Sequence, residues 1–436
     1  MRYKKINPQL FKKNRQRFIT AILPDSIAIF NSNDEMPRNG DQNFSFRQQS
    51  DLFYLSGIDQ EQTILIIFPD CPIKKYREIL FIRKTSKQLA TWEGPKYSID
   101  EATAISGIKT VLWIENYTAL LAELMTYAKN VYLNSNENIK FTSDVPYRDI
   151  RYAEELKKLF PLHQYKRSAP IMSKIRVIKS DIEIDIIKKA CNITGKAFER
   201  ILKKVRPGMM EYEIQAEIDH EFIRNGANGH AYQPIIASGE NACILHYIKN
   251  NKECKDGELI LMDFGCEYAN YSSDLSRTIP VNGRFTSRQK AVYNSVLSVL
   301  KASTKMMVPG KTIEKIHDET SKLLEKEMIK LGLLNQSEIK NQDPDQPVYK
   351  KYFPHGTSHF IGLDVHDLGS KMEVFKPGMI LSCEPALYIP EEVFGIRIEN
   401  DILITKDGPV NLMQDIPIEI EEIEKMMNNC PPLTMI

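Results

Sequence analysis

The 436-residue chain has almost no net charge: 58 Lys and Arg stand against 57 Asp and Glu, a formal +1 at pH 7. A nucleic-acid binder needs a concentrated positive field, and after residue 20 no basic run of that density occurs, so nucleic acid is not expected as a partner. Long apolar runs are missing as well. Nothing approaches 18 consecutive apolar residues, which leaves no membrane span to expect. Cysteine is sparse and unpatterned: seven residues, an odd number without CxxC spacing, fit a reduced intracellular thiol set rather than a disulfide framework. They point to a cytoplasmic protein. HGTSH, from His355 to His359, lacks the Glu that follows the first His in a zincin HExxH helix, which excludes that signature.

What is present is ordinary globular composition, 42% apolar and 26% charged, over a length that suits two domains with separate cores. The first 24 residues hold seven Lys or Arg and no acid, as an organellar transit peptide would. They are also Ser-free, and Leu10, Phe11, Phe18, Ala21 and Ile22 follow helical spacing. The expectation is an opening amphipathic helix of the mature fold, with its basic residues solvated. Strand-like TILIIFPD and EILFIRK then alternate with helical NYTALLAELMTYAK, the pattern of an α/β domain. The pattern breaks near residue 172, where the boundary is placed: 1–172 and 173–436. Ser180 and Glu183 form a capping-box signal for a long helix beyond it.

The second domain contains a faint internal repeat. Helix, Pro207-Gly208, helix and strands are followed 102 residues later by helix, Pro309-Gly310, helix and strands. Acids sit at unusual places in those strands. Asp263 in LILMDFG and Asp274 in YSSDLSRT belong to the first copy, at a spacing that suits a hairpin bringing both to its open end. His359 in HGTSHFIG, Glu384 in ILSCEPALYI and Glu399 in GIRIENDILI belong to the second. Buried carboxylates are costly unless paired or metal-bound, so four acids and one imidazole predict a binuclear divalent-metal site between two related halves. Binding there would also contribute to stability.

The stretches SGENACILHY, LMDFGCEYANYSSDLSRTIPVNGRFT, HGTSHFIGLDVHDLG, EPALYIP and GIRIENDILIT resemble the aminopeptidase P branch of the metallopeptidases with the pita-bread fold. RQQSDLFYLSGI resembles the N-terminal domain of the same branch. The resemblance implies a pita-bread catalytic domain with a pseudo-two-fold repeat, and hydrolysis of the first peptide bond when proline is second. It implies that Asp263 binds one metal, that Asp274 and Glu399 bridge the pair, and that His359 and Glu384 complete the other. The donors favour Mn(II), with Co(II) or Zn(II) able to use the same set. Glu384 would carry the proton, His246 and His366 would contact substrate and its oxyanion, and Arg397 would hydrogen-bond the metal-bridging carboxylates.

Other positions have two readings. His355 either belongs to the catalytic pocket or only positions its neighbours, and Tyr388 either lines the pocket or is a buried strand tyrosine. Trp92 and Asp41 match first-domain residues that approach an active site in the family, sometimes a neighbouring subunit's, whereas an isolated tryptophan otherwise reads as a core residue. Ala386 stands where the branch often has Gly, a change bearing on subsite shape. His163, His220, His230 and His317 are expected to be structural or exposed. The resemblance also implies a homodimer or homotetramer, with the first domain making subunit contacts and gating substrate. A prolidase cleaving Xaa-Pro dipeptides and a metal-free peptide-binding module are the competing readings.

Overall fold

In the computed structural model, which describes residues 2–138 and 140–429, the chain divides into two compact units. One is Lys4–Arg176; the other is Val177–Ile436 together with Met1–Tyr3. The helix Ala169–Arg176 runs past residue 172 and stays with the first unit. Six cysteines carry free thiols, and Cys430 lies outside the described residues. No helix among the described residues is long and apolar enough to cross a membrane.

The first unit is a six-stranded mixed sheet in the order 110–113, 78–82, 64–67, 26–31, 130–133, 164–167. Ser26–Asn31 pairs antiparallel with Ile64–Ile67 and parallel with Asn130–Leu133. One face buries Ile27, Ile29, Ile66, Ile79, Phe81 and Val131 against Leu120, Leu124 and Leu156 of the helices Tyr117–Met125 and Arg148–Leu159. The opening helix, Gln9–Ile19, buries Leu10, Phe11 and Phe18 as its spacing predicts. Its basic residues are not all solvated, however. Arg15 is only 1% exposed, and its guanidinium donates to Leu55 O, Ser106 O and Glu78 Oε2. Those carbonyls close the ends of two short helices, so a fixed cation is worth more here than a mobile surface charge.

The second unit has the expected doubling. Asp181–Leu202, opened by the Ser180–Glu183 capping box, packs against Glu211–Arg224, and Ser287–Met306 packs against Ile313–Lys330. Gly208 and Gly310, one in each connection, sit at φ of 89° and 90°, a left-handed conformation that glycine adopts without Cβ strain. Each helix pair is accompanied by a three-stranded antiparallel sheet. The first joins Ile235–Ser238, Leu259–Phe264 and Leu275–Pro280, and the second Ile380–Cys383, Asn400–Thr405 and Gly408–Asn411. The halves meet where Glu399 N donates to Ser276 O at 3.1 Å and Arg397 N to Thr278 Oγ1 at 3.3 Å.

Candidate metal centre

Strand register brings the acids together. In the first sheet Asp263 faces Ser276, so Asp274, two residues earlier, is a diagonal neighbour on the same face. The two meet at the end of the strand pair joined by residues 265–273, not at the free ends that the spacing alone suggests. That connection folds back tightly: a Cβ on Gly265 would lie 1.7 Å from Ser273 O, which only glycine allows. In the second sheet Cys383 pairs with Asn400, so Glu384 and Glu399 face each other one step past the ladder. Each half thus delivers two carboxylates from the end of an antiparallel pair.

His359 reaches the acids from an irregular segment held beside the Ile380–Cys383 strand. Its carbonyl accepts from Ser382 N at 2.8 Å and its N–H donates to Ser382 Oγ at 3.0 Å. Its Nδ1 lies 3.2 Å from Phe360 O, which leaves Nε2 directed at Asp274 Oδ2, 3.3 Å away, and Glu384 Oε1, 3.6 Å away. An imidazole held through Nδ1 by a carbonyl is oriented to offer Nε2 to a metal once that nitrogen loses its proton. One donor atom each from Asp274, His359 and Glu399 lies within 4.8 Å of the other two.

The electrostatics of this cluster call for a cation. Burial lifts the Glu384 carboxyl to about 7, with Asp274 and Asp263 adding repulsion against the relief from His359. Burial, then the charges of Asp274, Glu384 and Asp263, also push Glu399 well above the carboxylate range. Asp274 is raised by burial and by Asp263, against the His359 hydrogen bond. Burial opposes the charged form of His359, but its hydrogen bond to Asp274 and the charges of Glu384 and Asp274 outweigh it and raise the imidazole to about 9. Four acids around one imidazole and one guanidinium, all oxygen and nitrogen donors, fit divalent metal.

Several neighbours organise the acids. Arg397 Nη2 donates to Asp263 Oδ2 at 2.6 Å, Nε to Ser276 Oγ at 2.8 Å and Nη1 to the Tyr388 hydroxyl at 2.6 Å. Ser276 Oγ in turn donates to Glu399 Oε2 at 2.6 Å. Arg397 therefore holds Asp263 directly and Glu399 through Ser276. The Tyr388 hydroxyl, accepting from Arg397, gives its proton to His355 Nε2 at 2.8 Å, while His355 Nδ1 donates to Gly356 O at 2.8 Å. Burial and the Arg397 charge lower the His355 imidazole to about 3, so it is neutral. His355 Nδ1 is also 3.6 Å from Glu384 Oε2. Tyr388 is thus both a buried strand tyrosine and a partner of the site.

His366 is exposed at the rim, its ring packed edge to face on His359 with centroids 4.4 Å apart. His246 does not join the hydrogen-bonded group; it is exposed, on the segment after the turn Gly239–Cys243. Asp41 and Trp92 belong to the first unit: Asp41 is exposed between two short strands, and Trp92, 81% exposed on the helix Lys87–Trp92, is not a core residue. Ala386 is fully buried opposite Arg397. His230 pairs with Asp219, His317 bonds Thr357, His163 bonds Met125 O and His220 is exposed.

Three contributors have no mark in the sequence. The Tyr232 hydroxyl lies 2.6 Å from Asp263 Oδ1 and 2.5 Å from Asp274 Oδ1, one proton offered to two acids. Ser276 links Arg397 to Glu399, and buried Asp401 accepts from Asp274 N at 3.1 Å. Contacts between segments distant in sequence place them, and such contacts are not written in local composition.

The chain is similar to known proteins in sequence and in fold. Residues 185–406 match metallopeptidase family M24, and residues 11–132 match the aminopeptidase P N-terminal domain. The Xaa-Pro aminopeptidase of Escherichia coli K12 is 34% identical over 97% of this chain and 98% of its own; that of Haemophilus influenzae is 32% identical over 97% and 98%. A zinc-substituted E. coli aminopeptidase P in complex with product superposes with a TM-score of 0.87 at 32% identity, covering 97% of this chain and 99% of that one. The chain belongs to metallopeptidase family M24, in its aminopeptidase P branch.

Proposed function

We propose that the chain is an Xaa-Pro aminopeptidase that hydrolyses the first peptide bond of peptides with proline second. The observation that carries this reading is the convergence of Asp263, Asp274, His359, Glu384 and Glu399 at the ends of two related strand pairs, in a chain similar over nearly its whole length to Xaa-Pro aminopeptidases. Asp263, Asp274, His359, Glu384 and Glu399 would hold two divalent ions, Asp263 serving one, His359 and Glu384 the other, and Asp274 and Glu399 both. Two divalent ions, Mn(II) in preference to Co(II) or Zn(II) on the carboxylate-rich donor set, supply Lewis-acid charge when bound.

The chain's own groups do the rest. Glu384, whose two oxygens face His359 and His355, takes the proton from the attacking water and passes it to the departing proline nitrogen. That nitrogen carries no hydrogen in the intact bond and receives one only on cleavage. His366 at the rim and His246 on its exposed segment contact the substrate, and Arg397 keeps Asp263 and Glu399 in place. The neutral His355–Tyr388 pair lines the pocket. Exposed Trp92 and Asp41 contact the substrate, and the first domain serves gating and subunit contacts in a homodimer or homotetramer. The protein works in the cytoplasm on peptides, without nucleic acid or membrane.

Release of the N-terminal residue from an Xaa-Pro-Yaa tripeptide, an Xaa-Pro dipeptide and a Met-Ala-Yaa peptide tests the reading, with Mn(II) and after chelation. Metal-dependent cleavage of the tripeptide is expected, with little on the others. Dipeptide preference would make the enzyme a prolidase, and inactivity without bound metal would make it a binding module.

A further inference from the structure

Glu211 opens the helix Glu211–Arg224 and is fully buried. Five donors converge on its carboxylate. Oε1 accepts from Ser238 N and Ser238 Oγ, both at 2.8 Å, and from Asn241 Nδ2 at 3.1 Å. Oε2 accepts from the Tyr247 hydroxyl at 2.7 Å and Lys252 N at 3.0 Å. All five come from one stretch, 238–252, taken at its start, middle and end. A carboxylate offers about four lone-pair sites, so this one is fully used.

The stretch it holds has little else to fix its middle. Between the turn Gly239–Cys243 and the strand Leu259–Phe264 it forms no regular element, and Ile244, His246, Ile248 and Lys249 are exposed. Tyr247 is buried between exposed neighbours, its hydroxyl on Glu211 and also 3.2 Å from Asn251 Oδ1. The far end has a separate anchor, Asn250, which bonds Ile236 N, Pro234 O and Gln215. The direction in which His246 leaves the surface is therefore set by its neighbour's attachment to Glu211.

We propose that Glu211 is a positioning residue for the reaction: through Tyr247 it fixes the 238–252 segment and so the place where His246 is presented to substrate. This rests on the reading of His246 as a substrate contact. A buried, hydrogen-saturated carboxylate suits the task because its bonds to neutral donors are charge-assisted, and losing one oxygen leaves buried donors unpaired.

The test uses the full-length, metal-loaded protein and an Xaa-Pro-Yaa tripeptide, with Glu211→Gln, Tyr247→Phe, His246→Ala and the Glu211→Gln/His246→Ala double variant. Glu211→Gln is expected to lower kcat/KM about tenfold and Tyr247→Phe about threefold, for the loss of one or two buried bonds, with bound metal unchanged. Hydrogen exchange should accelerate across 239–249 while the strand Leu259–Phe264 stays protected. The double variant should be no worse than His246→Ala alone, a non-additivity that general destabilisation does not produce. Should Glu211→Gln not fold, Tyr247→Phe with its own His246→Ala double carries the same expectation. Normal exchange across 239–249 in both single variants would overturn the anchor. Impaired His246→Ala combined with multiplicative losses would overturn the link between Glu211 and His246. A fully active His246→Ala whose segment still loosens in Glu211→Gln would leave the anchor standing, remove its catalytic consequence and refute the substrate role of His246 itself.

Discussion

Lys179 Nζ lies 2.9 Å from Asp367 Oδ2, and both side chains are 1% exposed. The pair ties the beginning of the second unit to the residue after His366, across 188 positions of sequence. Space for it is made at Gly362, where a Cβ would come within 2.0 Å of Asp367 Oδ2. Breaking a buried ion pair by removing one partner strands the other charge, at a cost of about 3–5 kcal/mol. Lys179→Met should therefore lower the stability of the second unit by that amount in denaturant titration. Joint replacement, Lys179→Met with Asp367→Leu, should recover much of the loss. A double variant as unstable as Lys179→Met would show that the charge pair is not what holds this loop.

Tyr232 gives a sharper expectation about the acids. Burial, followed by the charges of Asp263, Asp274 and Glu399, keeps its hydroxyl protonated far above neutral pH. It is thus a permanent donor between Asp263 and Asp274. Tyr232→Phe removes one oxygen and leaves the ring. In chelator the variant should lose about 1.5–3 kcal/mol, the worth of a hydrogen bond to a charged group. With metal it should keep the bound ions but lose about tenfold in kcat/KM. Thermal unfolding, metal analysis and steady-state kinetics separate these effects, and wild-type values in all three would remove Tyr232 from the site.

How much of this was legible in the sequence differs by residue. Asp263, Glu384 and Glu399 stand out because each is an acid beside an apolar strand run, a local conflict that only a partner elsewhere relieves. Asp274 is legible by its spacing from Asp263, and His359 by the family resemblance of HGTSHFIG. Tyr232, Ser276 and Asp401 carry no such conflict: a tyrosine before a strand, a serine within one and an acid near Glu399 all read as ordinary. Ser276 takes its role from register with Asp263, 13 positions away, and Asp401 from its strand's pairing with Ile380–Cys383. Tyr232 takes its role from the segment leading into the strand whose Ile235 pairs with Asp263, 28 positions away. Arg15 illustrates the opposite failure. Its place on an amphipathic helix suggested solvent, but three acceptors from distant chain segments draw it inside.

The first unit contains a pH-sensitive carboxyl. Asp149 is buried at the start of the helix Arg148–Leu159, 3.1 Å from Asn31 Nδ2. Burial is the main cause that raises it to about 7; the Asn31 bond lowers it and the Asp51 charge raises it. Asp51 is itself paired with Arg176 at 2.8 Å, so that guanidinium is already engaged. The folded state keeps a proton that the unfolded chain releases near pH 4, so it binds more protons through this window and stability falls as pH rises from about 4 to 7. The full effect is about 4 kcal/mol between those limits. Asp149→Asn cannot ionise, and should flatten the loss in first-unit stability between pH 5 and pH 8. A variant with the same pH slope as the parent would place the titration elsewhere.

Metal and pH should act on the second unit in opposite directions. Without metal, Glu384 at about 7 and His359 at about 9 both hold protons that the unfolded chain would release earlier. A raised folded-state value means stability that is complete at low pH and lost as pH climbs through it. The chelated protein should therefore weaken steadily from about pH 5 to 9. Bound metal requires the same groups deprotonated, so its stabilising effect grows with pH over that range. Free ion at 100 times its dissociation constant adds about 2.7 kcal/mol. The gap in Tm between Mn(II)-loaded and chelated protein should accordingly be small at pH 5.5 and several degrees at pH 8.5. Replacing Glu384 by Gln should shrink the gap at the higher pH by weakening the ion and removing one titrating group together. A gap independent of pH would mean that the ion binds away from these carboxylates, because no cation held by Glu384 and His359 can escape competition with their protons.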